Sequence, residues 1–546
     1  MKKQLLSIIL ISFLTNVSFG QAIWENSNAN VYPFLSRLSQ KGLVEFNDII
    51  QPQTRTCILK SLQDLKEKVA LLSQVEKLEL HFYLQEFDTI QYKENKESIS
   101  FFKKDLNKRW RTFKVKSKEF EINADPILGI KSMIVDKNKI QQISNGFELW
   151  GSIGTNKKWA FELYYRDYTE TGDVAKYDRI NNTETGIILV GNNTKNQTNY
   201  SEIRGNISYA FKNGLISLGK DHITWGYGEN GKIVLSDKAP SFPYIRLDYT
   251  PNKWLHFNYF NAWLNSNIID SNATYNTHTG GVMGDIRYFY LPKFMASHSI
   301  TLKPIKGLDI AIGESIVYSD RMDIGFLLPI NLFKIYDNNK SNYLINAGSN
   351  GQYFLQVNSR NHIKNTHLYS SLFIDEIKVS AIFDKKQSRN QLGYTVGGSV
   401  TDIFTNYLTA GAEYTRVNPF VYTNLIPAQS YTQYDYQLGD WMGNNFDRII
   451  IFSKYTPIPK LNLYARFQKT RKGGSGTIFQ QYLVQPLPSF LFDFQKQTES
   501  IFIKATYEWI NNLYFLASIE NVQNSYNNGT NYKYNKVQIG FSYGLN

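Results

Sequence analysis

From about residue 119 to the end, apolar and polar residues alternate with a period of two. Ile501, Ile503, Ala505, Tyr507 and Trp509 interleave with Phe502, Lys504, Thr506 and Glu508. Beyond Asn511-Asn512, Leu513, Phe515, Ala517 and Ile519 interleave with Tyr514, Leu516, Ser518 and Glu520. Such a period puts successive side chains on opposite faces of a strand. Eighteen strands can be read, near 119–125, 145–154, 158–168, 200–211, 215–221, 243–250, 253–264, 297–304, 308–318, 350–358, 366–374, 390–400, 407–417, 447–456, 460–471, 498–510, 513–523 and 534–545. Connections after even-numbered strands are short, as in Lys212-Asn213-Gly214, Pro251-Asn252 and Asn511-Asn512. Most connections after odd-numbered strands are long and rich in Asn, Tyr, Gly and Ser. An even strand number with short turns on one side and long loops on the other predicts an all-β transmembrane outer-membrane barrel. A soluble sandwich has no reason to keep that parity.

Before residue 119 the period is helical. Pro33 with Phe34, Leu35 and Leu38 predicts a first helix ending at Gly42. Thr54 or Thr56 can cap a second, with Ile58, Leu59, Leu62 and Leu65 on one stripe. Ser73 and Glu76 form a capping box for a third, carrying Val75, Leu78, Phe82 and Phe87. These elements predict a small periplasmic α-helical bundle, with Cys57 packed inside it and His81 partly exposed. Residues 1–20 read as a signal peptide: Lys2 and Lys3, an apolar run from Leu5 to Leu14, then Ser18-Phe19-Gly20. The expected organisation is therefore 1–20 signal peptide, 21–118 helical bundle and linker, and 119–546 barrel.

Composition narrows the classes. Of 546 residues, 42 % are hydrophobic and 15 % aromatic, with 37 Tyr, 35 Phe, 9 Trp and one Cys. That much apolar surface excludes disorder, and one cysteine excludes a disulfide scaffold. The 60 Lys and Arg against 47 Asp and Glu give +13, or +11 once Lys2 and Lys3 are removed. Aromatics near strand ends, such as Trp150, Trp159, Tyr164, Tyr165, Trp254, Tyr259, Trp263, Trp509 and Tyr543, suit interfacial girdles. Bulky inward positions including Tyr464, Arg466, Phe502, Tyr514 and Leu516 suggest a constricted lumen.

Several motifs stand in a fixed order along the chain. The first is Leu218-Gly219-Lys220-Asp221-His222-Ile223-Thr224-Trp225-Gly226-Tyr227-Gly228, followed by Leu235-Ser236-Asp237-Lys238-Ala239-Pro240. Lys293-Phe294-Met295-Ala296-Ser297-His298, Phe373-Ile374-Asp375-Glu376, Glu413 to Tyr422, Gly443-Asn444-Asn445 and Arg471-Lys472-Gly473 continue the pattern. In their order and spacing these pieces resemble the Wzi family of outer-membrane barrels, and the resemblance implies an eighteen-stranded barrel with a periplasmic helical bundle that holds extracellular polysaccharide at the cell surface during capsule assembly. The loops at 169–199 and 265–292 match no shared motif, so the glycan does not carry over.

Residue chemistry agrees with a binding role. Sugars are held by aromatic faces and planar polar groups, and acidic glycans add a demand for Lys or Arg. The external loops offer Trp225, Tyr227, Arg321, Tyr422, Trp441, Asn444, Asn445 and Arg471 for this, and the positive excess would concentrate an anionic polymer. The same side chains could instead fold the loops over the barrel mouth. Asp221, Asp237 and Arg246 are expected to form a buried ionic network steering the loop after the fifth strand. No nucleophile motif or metal-ligand spacing accompanies Asp221, His222 and Asp237, so neither catalysis nor a cofactor or metal is expected. Lys472-Gly473-Gly474-Ser475-Gly476 lacks the context of a phosphate loop. The expected partners are surface polysaccharide and outer-membrane lipid, with the helical bundle facing any export machinery; nucleic acid is not among them, and a monomer is expected. The alternative is a diffusion porin or oligosaccharide transporter.

Overall fold

The computed structural model describes residues 22–87, 98–104, 110–154, 156–189, 193–281, 284–341, 348–377, 380, 383–384 and 389–544. The expected signal peptide lies outside them. Three helices come first: α1 (Val31–Gln40), α2 (Arg55–Lys66) and α3 (Gln74–Phe87). The Thr54 hydroxyl accepts from the Cys57 N–H at 3.2 Å and caps α2. Ser73 and Glu76 make the reciprocal capping box of α3, at 2.6 and 3.3 Å. Leu35, Leu38, Ile58, Leu62, Leu65 and Leu80 meet in a fully buried core. Two expectations fail here. Cys57 is exposed, because Ile58 and Leu62 take the buried face and Cys57 stands one residue out of phase. On α3 the buried stripe is Leu80, Tyr83, Leu84 and Phe87, leaving Leu78 exposed.

Eighteen antiparallel strands close a barrel: β1 (Phe120–Val135), β2 (Asn138–Ile153), β3 (Trp159–Gly172), β4 (Gln197–Phe211), β5 (Gly214–Asp221), β6 (Phe242–Asn252), β7 (Leu255–Ile269), β8 (Tyr290–Ile305), β9 (Leu308–Ser319), β10 (Asn350–Arg360), β11 (Thr366–Glu376), β12 (Gln391–Thr401), β13 (Leu408–Val417), β14 (Phe446–Tyr455), β15 (Leu461–Lys472), β16 (Lys496–Ile510), β17 (Leu513–Tyr526) and β18 (Asn531–Tyr543). Closure is by β18 on β1, from Lys536 opposite Val135 to Tyr543 opposite Leu128. The lower half of β1 instead receives a hairpin, Ser98–Lys104 and Trp110–Lys116, with Phe113 opposite Ala124. That hairpin, read from sequence only as linker, covers an edge that the stagger would leave unpaired.

The parity of connections holds with one correction. The first connection, expected to be long, is the turn Asp136-Lys137, with Asp136 at φ +54°. Apart from Ile140, residues 137–142 are polar and read as a loop, yet Gln142 belongs on the inner wall, where polar residues are ordinary. Because β17 and β18 also join by a short turn, four adjacent strands (β17, β18, β1 and β2) carry no long loop. At the other end all turns are short, and Asn213 and Asn512 take φ of +64° and +58° there.

The outer face is a belt of aliphatic residues. Ile300, Ile312 and Leu355 line up across β8 to β10, and Ile451, Phe467 and Ile501 across β14 to β16. Trp159, Trp254 and Trp509 stand exposed near the short-turn end, as a girdle requires. Tyr164 and Tyr259, assigned to the same girdle from sequence, are buried.

The helical bundle seats on the short turns. Arg37 and Lys41 bridge Glu76 to Asp402, with Lys41 at 2.8 and 2.9 Å from the two carboxylates. The Tyr407 hydroxyl donates to Glu79, and the Asn511 amide donates to Glu86 at 3.1 Å. Burial raises the Glu79 carboxyl to about 7. Burial also opposes ionisation of Glu76, but Arg37, Lys41 and the Ser73 N–H outweigh it and hold Glu76 at about 2.

Candidate functional site

The lumen has two halves. Against the inner face of β6 to β14, the segments 222–241 and 418–445 fold inward and pack as a solid plug. Their apolar residues explain why: Ile223, Ile233, Val234, Leu235, Val421 and Leu438 are each at most 1 % exposed. The chain between α1 and α2 rises to meet them. Ile50 and Gln51 pair with Trp225 and Thr224 as a two-stranded sheet, and the Gly226 N–H donates to Ile49 at 2.8 Å. Gly226 sits at φ +99°, and a Cβ there would come within 2.4 Å of the Gln356 amide.

Most of the residues assigned to polysaccharide from sequence tie this plug together. Trp225 is 1 % exposed and lies between Phe260 and Phe354, at centroid distances of 5.9 and 5.2 Å. The Tyr227 hydroxyl donates to Asp48 at 2.7 Å, and Arg360 grips the same carboxylate at 2.7 and 2.9 Å. Burial opposes ionisation of Asp48, but Arg360 holds it below the ordinary carboxylate value. Tyr422 stacks on Tyr431 at 5.6 Å, and their hydroxyls donate to the carbonyls of Ile233 and Val234. Trp441 donates its indole N–H to Asn230 at 2.7 Å. Asn445 donates to Gly474 at 2.8 Å and Asn444 to Ser475 at 3.4 Å, so both hold the loop after β15. Arg471 pairs with Asp447. Only Arg321 and Arg471 are exposed, and Trp441 is partly so. The reason is general. Loops that turn inward must satisfy their own backbone groups, and Tyr, Trp and Asn do this with the same donors that would bind sugar.

The expected network of Asp221, Asp237 and Arg246 does not form. Arg246 pairs with Asp248 at 2.7 Å and lies over the Trp24 ring, Asp221 faces Arg204 at 3.5 Å, and Asp237 is exposed. Asp221 and Arg246 share the inner face, but Asp221 stands opposite Phe242 and Arg246 opposite Ser217, four residues away along the strands. The buried ion pair that does brace the plug is Asp440 with Arg448, at 3.1 and 2.7 Å and with neither side chain exposed.

The other half of the lumen is open. A cavity of about 320 Å³ lies against β1 to β5 and β17 to β18, and Arg179 and Glu184 to Ile188 of the connection between β3 and β4 also line it. Its wall is built by the inward positions of two facing strands. Tyr164, Arg166 and Tyr168 on β3 stand opposite Arg204, Glu202 and Tyr200 on β4. Tyr168 and Tyr200 stack at 4.6 Å and 12°, with Arg166 5.1 Å over Tyr168. Arg166 donates to Ser144 at 2.9 and 3.0 Å and to Ser542 at 3.4 Å. Gly129 makes room for it, since a Cβ there would meet the guanidinium at 2.4 Å. Tyr200 and Gln142 both donate to Glu170, and Arg204 lies 4.0 Å over Tyr164. His222 approaches Glu202 at 3.1 Å. Burial would raise Glu184, but Lys131 and Lys536 outweigh it and hold it at about 2. A cavity with aromatic rings, guanidinium groups and amide and carboxylate acceptors offers what hydroxyl-rich, anionic molecules bind. Sequence reading missed it, although the alternation Tyr164-Arg166-Tyr168 and Tyr200-Glu202-Arg204 marks both sets as one face.

Neither a family model nor a curated protein matches the chain. Among solved structures, one similar barrel is Wzi of Escherichia coli, described as an outer-membrane protein involved in group 1 capsule assembly and as a carbohydrate-binding β-barrel. The match covers 96 % of this chain and 100 % of that one, with a TM-score of 0.59 and 12 % identity. The fold is Wzi-like. OccK3 and OprD of Pseudomonas aeruginosa match 77 % of this chain and 95 and 94 % of their own, at TM-scores of 0.40 and 0.42 and identities of 11 and 12 %. A Wzi-like barrel with this apolar belt belongs to the outer membrane. At such identity the likeness is one of fold, and the chemistry of the site rests on the residues above.

Proposed function

We propose that this barrel is a non-enzymatic surface lectin that binds capsular or related extracellular polysaccharide and holds it at the cell surface. In this reading the long loops face outward and the helical bundle faces the periplasm. The cavity walled by β1 to β5 and β17 to β18 receives the glycan. One observation carries the reading: the inward-folded loops pack against β6 to β14, while against β1 to β5 and β17 to β18 a cavity lined by stacked tyrosines and arginines remains. A diffusion pore has no need of a plug tied by a buried ion pair and a strand pairing from the N-terminal segment. The Wzi-like fold supports the assignment, because the structure it resembles is described as binding carbohydrate. Deleting the gene should release polysaccharide into the medium without abolishing its synthesis, and unchanged cell-bound glycan refutes the anchor. The purified protein in planar bilayers should conduct little, whereas large steady conductance favours the porin alternative.

A further inference from the structure

Residues 320–341, which follow β9, do not fold into the lumen. Their stretch 323–341, which includes the helix Phe333–Ser341, lies on the outside of the wall. Register proves the side. Phe260, Ala262, Met295 and Val317 point into the plug, so their neighbours Tyr259, Asn261, Ala296, His298, Glu314, Ile316 and Tyr318 point outward. These outward residues are nevertheless buried, under Phe326 and Phe333. Polar contacts fasten the cover. The Tyr259 hydroxyl donates to the Phe326 carbonyl at 2.9 Å, the Phe333 N–H donates to Glu314 at 2.5 Å, and His298 Nδ1 lies 2.8 Å from the Pro329 carbonyl. Beneath it His298 Nε2 sits 3.3 Å from Glu314.

The height of this patch matters. Glu314 lies six residues above Leu308, the start of β9. At roughly 3.3 Å per residue and a tilt of about 40°, that is about 15 Å along the barrel axis, inside an apolar band ~25 Å tall. The row just below it, Ile300, Ile312 and Leu355, is part of the belt. The far side of the covering segment continues that belt, with Ile324, Leu328, Ile330, Leu332 and Ile335 between 55 and 87 % exposed.

We propose that residues 323–341 form a strap lying in the outer leaflet, its isoleucine and leucine edge in contact with lipid acyl chains and its inner side sealing His298 and Glu314 from them. A carboxylate and an imidazole facing hydrocarbon would otherwise be costly at that depth. The occupant is lipid because the exposed edge is continuous with the lipid-facing belt.

The test uses the full chain in a Cys57→Ser background, which removes its single cysteine. An environment-sensitive probe is attached at Ile330→Cys or Leu328→Cys. Ile312→Cys in the belt and Leu425→Cys on an exposed loop serve as references. In phosphatidylcholine vesicles with brominated acyl chains, both strap probes should be quenched as strongly as the belt probe and show blue-shifted emission. Quenching no greater than at Leu425 overturns the proposal. So does blue-shifted emission without bromine quenching, which would mean that protein covers the edge. The belt probe reports insertion of each preparation, and two strap positions guard against one that fails to fold.

Discussion

The two halves of the lumen are made of similar residues used in opposite ways. On the β6 to β14 side, tyrosines, a tryptophan and arginines spend their polar atoms on loop backbone and on each other. On the β1 to β5 side, tyrosines and arginines stand on rigid strands around an open cavity. On the proposed reading, binding chemistry resides where side chains are held by the wall rather than by the loops they hold. This suits a site that must be preformed, because strand positions fix side-chain geometry before any ligand arrives.

Breaking the packed half should have the largest effect. Arg448→Ala leaves Asp440 charged and buried, which should destabilise the barrel by about 3–5 kcal/mol and raise its conductance. Thermal unfolding and single-channel recording check this; an unchanged melting temperature would show that the plug is not braced there. Tyr168→Ala sharpens the contrast from the other side. It removes the stack on Tyr200, costing about 0.5–1.5 kcal/mol of stability, yet should strongly weaken saccharide binding.

Much of this architecture is legible in the chain. The period of two marks the strands, and the loop parity marks the barrel, because both follow from one face meeting lipid and the other a polar lumen. The turn between β1 and β2 is hard to see in the sequence, since all of residues 137–142 except Ile140 are polar, and an inner wall tolerates that as readily as a loop does. Site residues were harder. Trp225 or Tyr422 in a long connection has the same identity whether the loop turns inward or outward. The sign that it turns inward was the apolar run Ile233-Val234-Leu235, which an outward loop would have no reason to carry. The strap is less legible still, because covering an outward-facing Glu314 is a tertiary fact.

Smaller perturbations test the seat of the helical bundle, which lies apart from both halves. Glu79 has its pKa raised to about 7 by burial, so between 4.5 and 7 the folded form holds a proton that the unfolded form lacks. Stability should therefore rise as pH falls through that window. Glu76, held at about 2, works the other way: its contribution is complete above 4.5 and is lost as pH falls toward 2. Protection of the α3 amides, as the ratio of intrinsic to observed hydrogen-exchange rate, should be greatest near the meeting of the two windows, and Glu79→Gln should flatten the upper one. The smallest effect is expected from Arg471→Ala, where an exposed guanidinium leaves Asp447 at a cost of about 0–1 kcal/mol, and saccharide binding should not change.

The division of the lumen is tested most directly by titrating the purified barrel with fragments of the polysaccharide from its own cell surface. The wild-type chain and the Arg471→Ala variant should bind saturably and alike, while the double substitution Arg166→Ala with Tyr168→Ala should abolish binding and lower the melting temperature far less than Arg448→Ala does. Full binding by the double variant, or its loss in Arg471→Ala alone, would contradict the account.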